Sequence, residues 1–545
     1  MLRFPAPEII RGIQANPTTT PKNMQNSITI PSRTKTVSIL VLLQSSFMLT
    51  AASMSERDMS QPQTIVVLGT PISVVDMKGT LNCIESMVAS GKPHYIVTPN
   101  VDFVVQARED QELHRILCDA DLVICDGMPL VWASKWFGNP IPERVAGSDL
   151  ATPLLELASR KKLKLFLLGA AESINEKAAE TIRARYPDIQ LVGNYSPPYA
   201  ALVDMDHEDI NQRIKNAAPD ILLVGFGCPK QEKWISMNYR NIGVPVSIGV
   251  GATVDFIAGK VSRAPVWMRQ NGLEWLYRLY REPGRMWKRY VKDILVFLIA
   301  MIRYRRYIAW GTQDNKGELA PHSFTEKQVN ANGSVLELPE RFDAVCVAVW
   351  APIISDYIKR TDFPRLDLSG VRFIDSTGLG ELIRVRKSMK DAKKEYCFHQ
   401  CSDAVLKLFK LTKLTDQFST DPNPAPLVSK GSAPGSHWGA SYRFSSEEQM
   451  KCVRWMGMLD DENASSLMNA TQQFITTSPR NFNILSIDLS KVTQITSATA
   501  VVMKQLAEEA AKGNWQLRYH GASDGVQNVL KHAKALHLLS GEASS

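Results

Sequence analysis

The segment Asp220–Glu232, DILLVGFGCPKQE, decides how the fold is read. Four aliphatic residues, Ile221–Val224, form a short unbroken apolar run, as a strand buried on both faces requires. Gly225-Phe226-Gly227 ends the run, and Pro229, Gln231 and Glu232 follow it. A strand that stops in glycines and passes into a helical segment lets backbone N–H groups approach a phosphate.

The same order recurs on both sides of this segment. Further strands are expected at Thr64–Leu68, Tyr95–Thr98, Leu122–Cys125, Leu163–Leu168, Ile189–Val192 and Val246–Ile248. Amphipathic helical patterns such as Ser173–Arg185 and Glu208–Asn216 lie between them. The alternation predicts a parallel α/β sheet, whose ligands sit at the carboxyl ends of the strands. Those ends read Thr98-Pro99-Asn100, Asp126-Gly127, Gly169-Ala170-Ala171, Gly225-Phe226-Gly227 and Gly249 to Asp255, with Arg144 and Gly147-Ser148-Asp149 in a connecting loop. One such turn is ordinary. Five in one sheet predict a substrate crevice, in which a strand-end carboxylate such as Asp126 is suited to act as a general base.

Beyond the sheet the chain turns basic and aromatic. The net charge of the 545 residues is +8, and residues 263–306 account for all of it with eleven arginines and lysines against three acids. Trp267, Trp275, Tyr277, Tyr280, Trp287 and Tyr290 are interleaved with these cations, and the apolar stretch Ile294–Ile302 precedes Arg303, Arg305 and Arg306. An apolar core too short to span a bilayer, flanked by cations and aromatics, suits a helix lying in an anionic membrane surface. The alternative is a helix docked on its own domain. Residues 1–60 form an N-terminal extension. Its run Val37–Ala52 resembles an export signal or anchor, or else sequence upstream of a true start at Met54 or Met59; the last is favoured. The eight cysteines form no CxxC pair, which fits a reducing compartment, and Cys397, His399 and Cys401 are expected to pack one face of a strand.

Two polar linkers, Gly311–Ser323 and Asp421–Gly439, each precede a module of about 100 residues. The modules repeat one another. Leu366–Gly380 reads LDLSGVRFIDSTGLG and Ile487–Val501 reads IDLSKVTQITSATAV, so that Asp367, Ser369 and Ser376 match Asp488, Ser490 and Ser497.

The ordered set Thr98-Pro99-Asn100, Asp126-Gly127, Arg144 to Gly147, Gly225 to Glu232, Gly249 to Asp255 and Arg263-Ala264-Pro265 resembles the WecG/TagA/CpsF family, glycosyltransferase family 26. The tail Gly272 to Arg278 with Glu282-Pro283 and Arg285 extends the likeness to about residues 64–305. The resemblance implies a Rossmann-like α/β domain that moves a sugar, with inversion, from a UDP-sugar to a polyprenyl-diphosphate-linked sugar, in the type member N-acetylmannosamine. It implies Asp126 as base, with Thr98 and Asn100 in the same pocket. Arg144, Gly169, Gly225, Gly227, Gln231, Glu232 and Asp255 are expected to contact substrate, and Arg278, Arg285 and Arg289 to hold diphosphate charge. It implies no metal, and no cofactor is expected.

The two C-terminal modules resemble STAS domains, the fold of anti-sigma-factor antagonists. Asp375 to Gly380 matches the segment bearing that family's phosphorylated serine, here Ser376; the second copy lacks its glycines. The expected architecture is therefore an N-terminal extension (1–60), an α/β transferase domain (61–262), a membrane-associating appendage (263–310) and two small α/β modules (324–420 and 440–545). Expected partners are the donor, the lipid-linked acceptor, an anionic membrane surface on the inner face of the cell membrane, and a kinase or anti-sigma protein, but not nucleic acid. The rival reading is a signalling scaffold that senses a nucleotide-sugar and reports through its STAS pair.

Overall fold

The computed structural model describes residues 62–260, 265, 268, 274–281, 283–313, 335–394, 397–418, 438–441, 450–477, 483–513 and 515–539. The N-terminal extension and most of both linkers lie outside the described residues. Residues from Ser60 onward form one compact unit.

The chain opens with β1 (Thr64–Val67) and β2 (Thr70–Ser73), followed by β3 (His94–Val97), β4 (Leu122–Val123), β5 (Lys164–Gly169), β6 (Gln190–Tyr195), β7 (Ile221–Gly225) and β8 (Val246–Gly249). Six of them make one parallel sheet in the order β4-β3-β8-β7-β5-β6. The α/β class is as the sequence predicts.

One expected strand is placed differently. β1 does not join the parallel sheet; it folds back on β2 as an antiparallel hairpin through Leu68 and Gly69. Both turn residues have positive φ, 53° and 97°, the handedness that a two-residue hairpin loop requires. Pro71 in the second arm hides this strand from pattern reading.

The sheet is covered on both faces, and alternation along each strand assigns the faces. Leu165, Leu167, Ile221, Leu223 and Ile248 pack with Ile84, Leu154, Ala178 and Val254 from the helices Met77–Ser90, Gly147–Lys161, Glu172–Arg185 and Thr253–Ile257. Phe166, Leu168, Leu222 and Val224 share the opposite core with Phe103, Leu113, Leu130, Ile210 and Trp234 from the helices Val101–Ala107, Gln111–Asp119, Met128–Trp136, His207–Ala217 and Lys230–Ile242. This is a doubly wound α/β layer structure.

The basic appendage contains the helices Glu274–Arg281 and Pro283–Gln313. Among the described residues no helix is long and apolar enough to cross a membrane. The longer helix has two apolar faces. Phe297, Ala300, Met301, Tyr304, Tyr307 and Ile308 are buried in the core that holds the helix Val101–Ala107, with the rings of Tyr304 and Phe137 4.6 Å apart. Val291, Ile294, Leu295, Leu298, Ile299 and Ile302 are exposed.

The first module contains β9 (Val335–Glu337), β10 (Arg341–Phe342), β11 (Arg365–Leu368), β12 (Phe373–Ile374) and β13 (Cys397–Cys401), with helices Ala344–Arg360, Ser376–Asp391 and Asp403–Thr412. The second contains β14 (Trp438–Ser441), β15 (Met450–Leu459), β16 (Ile484–Ile495) and β17 (Gln516–His520), with helices Ala464–Thr477, Ser497–Gly513 and Asp524–His532. The repeat is legible atom by atom. Ser369 N–H donates to Asp367 Oδ1 at 2.7 Å, and Ser490 N–H donates to Asp488 Oδ1 at 2.8 Å.

Candidate active site

β3 and β4 are neighbours, and their pairing continues past their ends. Ile124 N–H donates to Val97 O at 2.9 Å and Asp126 N–H to Pro99 O at 3.0 Å. Thr98-Pro99-Asn100 therefore runs beside Cys125-Asp126-Gly127. Asn100 Oδ1 accepts from Phe103 N–H at 3.2 Å and so caps the helix Val101–Ala107, which fixes its side chain at the strand end. A third segment closes the pocket, since Val145 N–H donates to Cys125 O at 2.9 Å. That bond brings Gly147 against Thr98, where a Cβ on the glycine would lie 3.5 Å from Thr98 Oγ1. Arg144 is paired with Asp149. Thr98, Asn100, Asp126 and Arg144, drawn from three stretches of sequence, thus meet at one sheet edge.

The second half lies across β8. Ala170 N–H donates to Gly225 O at 2.8 Å, joining the ends of β5 and β7. Gly169 has φ +91°, and a Cβ there would strike the Phe226 ring at 2.7 Å; one at Gly225 would strike Val254 at 2.9 Å. These glycines are required by close approach. The helix Glu172–Arg185 begins beside them with no side-chain cap at Ala171, so its first N–H groups face the crevice, with Glu172 as the acid of its first turn.

Gln231 is the brace of this half. Its Oε1 accepts from Gly227 N–H at 3.1 Å and from Gly251 N–H at 3.0 Å, while its Nε2 donates to Glu232 Oε1 at 2.7 Å. It is 3% exposed and reaches the crevice through the two glycine loops. Glu232 lies behind it at 1% exposure, and burial pushes its carboxyl up to about 7. Asp255 is half-buried in the helix Thr253–Ile257. Arg278 falls in Glu274–Arg281 and Arg285 and Arg289 in Pro283–Gln313; their side chains lie outside the described residues.

Sequence reading missed a second polar centre, on the helix Gln111–Asp119. Lys233 Nζ is 2.8 Å from Asp110 and 2.9 Å from Glu112, and all three are almost fully buried. Arg115 reaches Asp461 of the second module at 3.1 Å. Burial pushes the Asp119 carboxyl up, but Arg386, Lys390 and Arg115 outweigh it and hold the group well below the usual carboxylate range. In sequence this helix reads as an ordinary amphipathic one. Nothing local reveals that its polar side is covered by two other modules. A cleft of about 1200 Å³ lies beside it, lined by Lys92, Tyr95, Tyr239, Lys390 and Asp461, at the amino ends of β3 and β4 rather than at the candidate site.

Ser376 opens the helix Ser376–Asp391, as expected, but it is not on a free surface. It is 2% exposed, and Asn139 Nδ2 donates to its Oγ at 2.7 Å and to Asp375 Oδ2 at 3.1 Å. Asp204 and Asp206, two acids spaced as in a metal-binding Asp-x-Asp pair, serve structure instead: Asp204 pairs with Lys504 at 2.6 Å, and Asp206 caps the helix His207–Ala217. Among the described residues no cluster of His, Cys, Asp or Glu is arranged to hold a metal.

A doubly wound parallel sheet with polar and glycine-rich strand ends gathered into one crevice defines an α/β protein with a ligand site at its strand ends. Residues 65–309 match the model of the glycosyl transferase WecG/TagA/CpsF family, and the chain belongs to that family. Residues 325–425 match the STAS domain. Three relatives share the description N-acetylglucosaminyldiphosphoundecaprenol N-acetyl-beta-D-mannosaminyltransferase. One from Bacillus spizizenii is 33% identical over 215 residues, 39% of this chain and 81% of the relative. One from Bacillus subtilis is 36% identical over 195 residues, 36% of this chain and 73% of the relative. One from Staphylococcus aureus is 29% identical over 259 residues, 47% of this chain and 98% of the relative.

Proposed function

We propose that the chain transfers an N-acetylmannosamine-like sugar from a UDP-sugar to a polyprenyl-diphosphate-linked N-acetylglucosamine, with inversion. The observation that supports this reading is the meeting of Asp126 with Thr98, Asn100 and Gly147 at the adjoining ends of β3 and β4. Asp126 takes the proton of the acceptor hydroxyl as the oxygen attacks the anomeric carbon, and the bond to UDP breaks on the opposite face. The helix Glu172–Arg185, which has no side-chain cap, supplies N–H groups toward the diphosphate, and Gln231 holds the Gly227 and Gly251 loops in place beside it. Arg278, Arg285 and Arg289 neutralise the charge that grows on the leaving UDP. The exposed apolar face of Pro283–Gln313, with exposed Arg303, Arg305 and Arg306, rests on an anionic membrane where the acceptor resides.

The test is turnover with a polyprenyl-diphosphate N-acetylglucosamine analogue and a panel of UDP-sugars, read by mass spectrometry. The expected result is a product with one added sugar that is absent with Asp126→Asn, while UDP-sugar binding by that variant stays within about threefold of the parent. Loss of binding together with turnover would argue against the base role. Binding without turnover in the parent protein would favour the sensing scaffold.

A further inference from the structure

The two modules present the same helix end to the transferase domain, and they present it differently. In the first copy Asp375 O accepts from Leu379 N–H, and the Asp375 carboxylate accepts from Thr377 N–H at 2.9 Å and Gly378 N–H at 2.8 Å. The helix caps itself. In the second copy Thr496 O accepts from Ala500 N–H, so Thr496 holds the equivalent cap position without a carboxylate. The acid there comes from elsewhere. Ser497 N–H donates to Glu112 Oε1, and Ser497 Oγ donates to Glu112 Oε2 at 2.6 Å. Glu112 belongs to the transferase domain, is 2% exposed, and is held from behind by Lys233.

We infer that Glu112 is the missing cap of the second module. The start of the helix Ser497–Gly513 is then a carboxylate-recognising surface whose partner is the transferase domain of the same chain. The chemistry of the two ends is complementary to this assignment. The self-capped end carries an acid and meets an amide donor, Asn139; the end without an acid meets a carboxylate. A carboxylate at a helix N-terminus satisfies N–H groups with no intrahelical partner and opposes the positive end of the dipole. The departure of the second copy from the repeat pattern therefore has a structural reason. An acid at position 496 would stand against the buried carboxylate of Asp461, which the Thr496 side chain faces, and next to the residue that binds Glu112, so its helix is complete only when docked.

Hydrogen exchange on the full chain tests this. Glu112→Ala is expected to speed exchange of the first-turn amides of Ser497–Gly513 by about fivefold, the factor that losing an ordinary cap represents. Adding Thr496→Asp to Glu112→Ala returns the acid to the helix itself and is expected to restore that protection. Thr496→Asp alone adds a carboxylate to a helix end that already holds Glu112 on Ser497 and Asp461 beside position 496, and is expected to raise exchange along the same helix. Unchanged first-turn protection in Glu112→Ala overturns the inference. So does failure of Thr496→Asp to restore it in a chain whose other helices remain protected.

Discussion

Glu232 is a carboxyl with almost no access to water, and its ionisation works against the fold. Its pKa stands at about 7 in the folded chain against an ordinary 4.5, because burial penalises the charged form. Between these two values the folded state keeps a proton that the unfolded chain has released. Stability contributed by this group is thus present below pH 4.5 and lost as pH rises through 7. Glu232→Gln removes the titration with little change of shape. Urea unfolding at pH 5 and pH 8 is expected to show the parent losing roughly 2.5 kcal/mol more than the variant across that interval. Parallel pH dependence in both would mean that water reaches the carboxyl. At this scale the sequence was informative for Asp126, Thr98 and Asn100, since strand ends are local features. It assigns Gln231 and Glu232 alike to substrate contact, as polar residues opening a helix, whereas Glu232 is buried behind Gln231. Only packing distinguishes the one that braces Gly227 and Gly251 from the one turned inward.

The stretch Ile294–Ile302 of the helix Pro283–Gln313 divides by face: one side docks on the chain's own core, and the other is exposed and is the side on which we propose membrane contact. Phe297 and Ala300 are buried, whereas Ile294, Leu298 and Ile302 are exposed. Hydropathy alone cannot make this division, because both stripes are apolar and each recurs at helical spacing. The double variant Ile294→Glu/Leu298→Glu reverses the outer stripe only. It is expected to lower sedimentation with anionic vesicles by tenfold or more, on the order of 1.5–3 kcal/mol per side chain, with an unchanged melting temperature. Phe297→Ala is expected to do the opposite, costing about 3–5 kcal/mol of stability. Vesicle binding that survives the double glutamate variant would place membrane contact elsewhere. The β1–β2 hairpin marks the other limit of sequence reading. Ile65, Val66 and Val67 look like any strand of the sheet, and the positive φ of Leu68, which sends them elsewhere, has no signature in a leucine.

At the scale of the whole molecule, the first STAS-like module is not a tethered appendage. Its core residues Phe342, Trp350, Leu366 and Phe398 belong to the same apolar cluster as Ile65, Phe103 and Trp234 of the transferase domain. The helix Ser376–Asp391 lies so close to β1 that a Cβ on Gly380 would run into the Thr64 carbonyl oxygen. Arg386 and Lys390 from the same helix close on buried Asp119, and Lys387 is 3.0 Å from Asp121. The Staphylococcus aureus relative has 98% of its length matched by 259 residues, which leaves no room for counterparts of both modules. The cover described here therefore has no counterpart within that relative's own chain, and the transferase domain here should depend on its cover. Asp119→Asn leaves Arg386 buried beside a neutral amide, and losing one partner of a buried pair costs about 3–5 kcal/mol. Gly380→Ala forces the helix off β1 without touching any charge. Both are expected to lower the unfolding midpoint of the transferase domain itself, seen as faster hydrogen exchange in β1 and in the helix Gln111–Asp119. If either variant instead loosened only the module, with β1 and that helix still protected as in the parent, the shared core would not be a single cooperative unit.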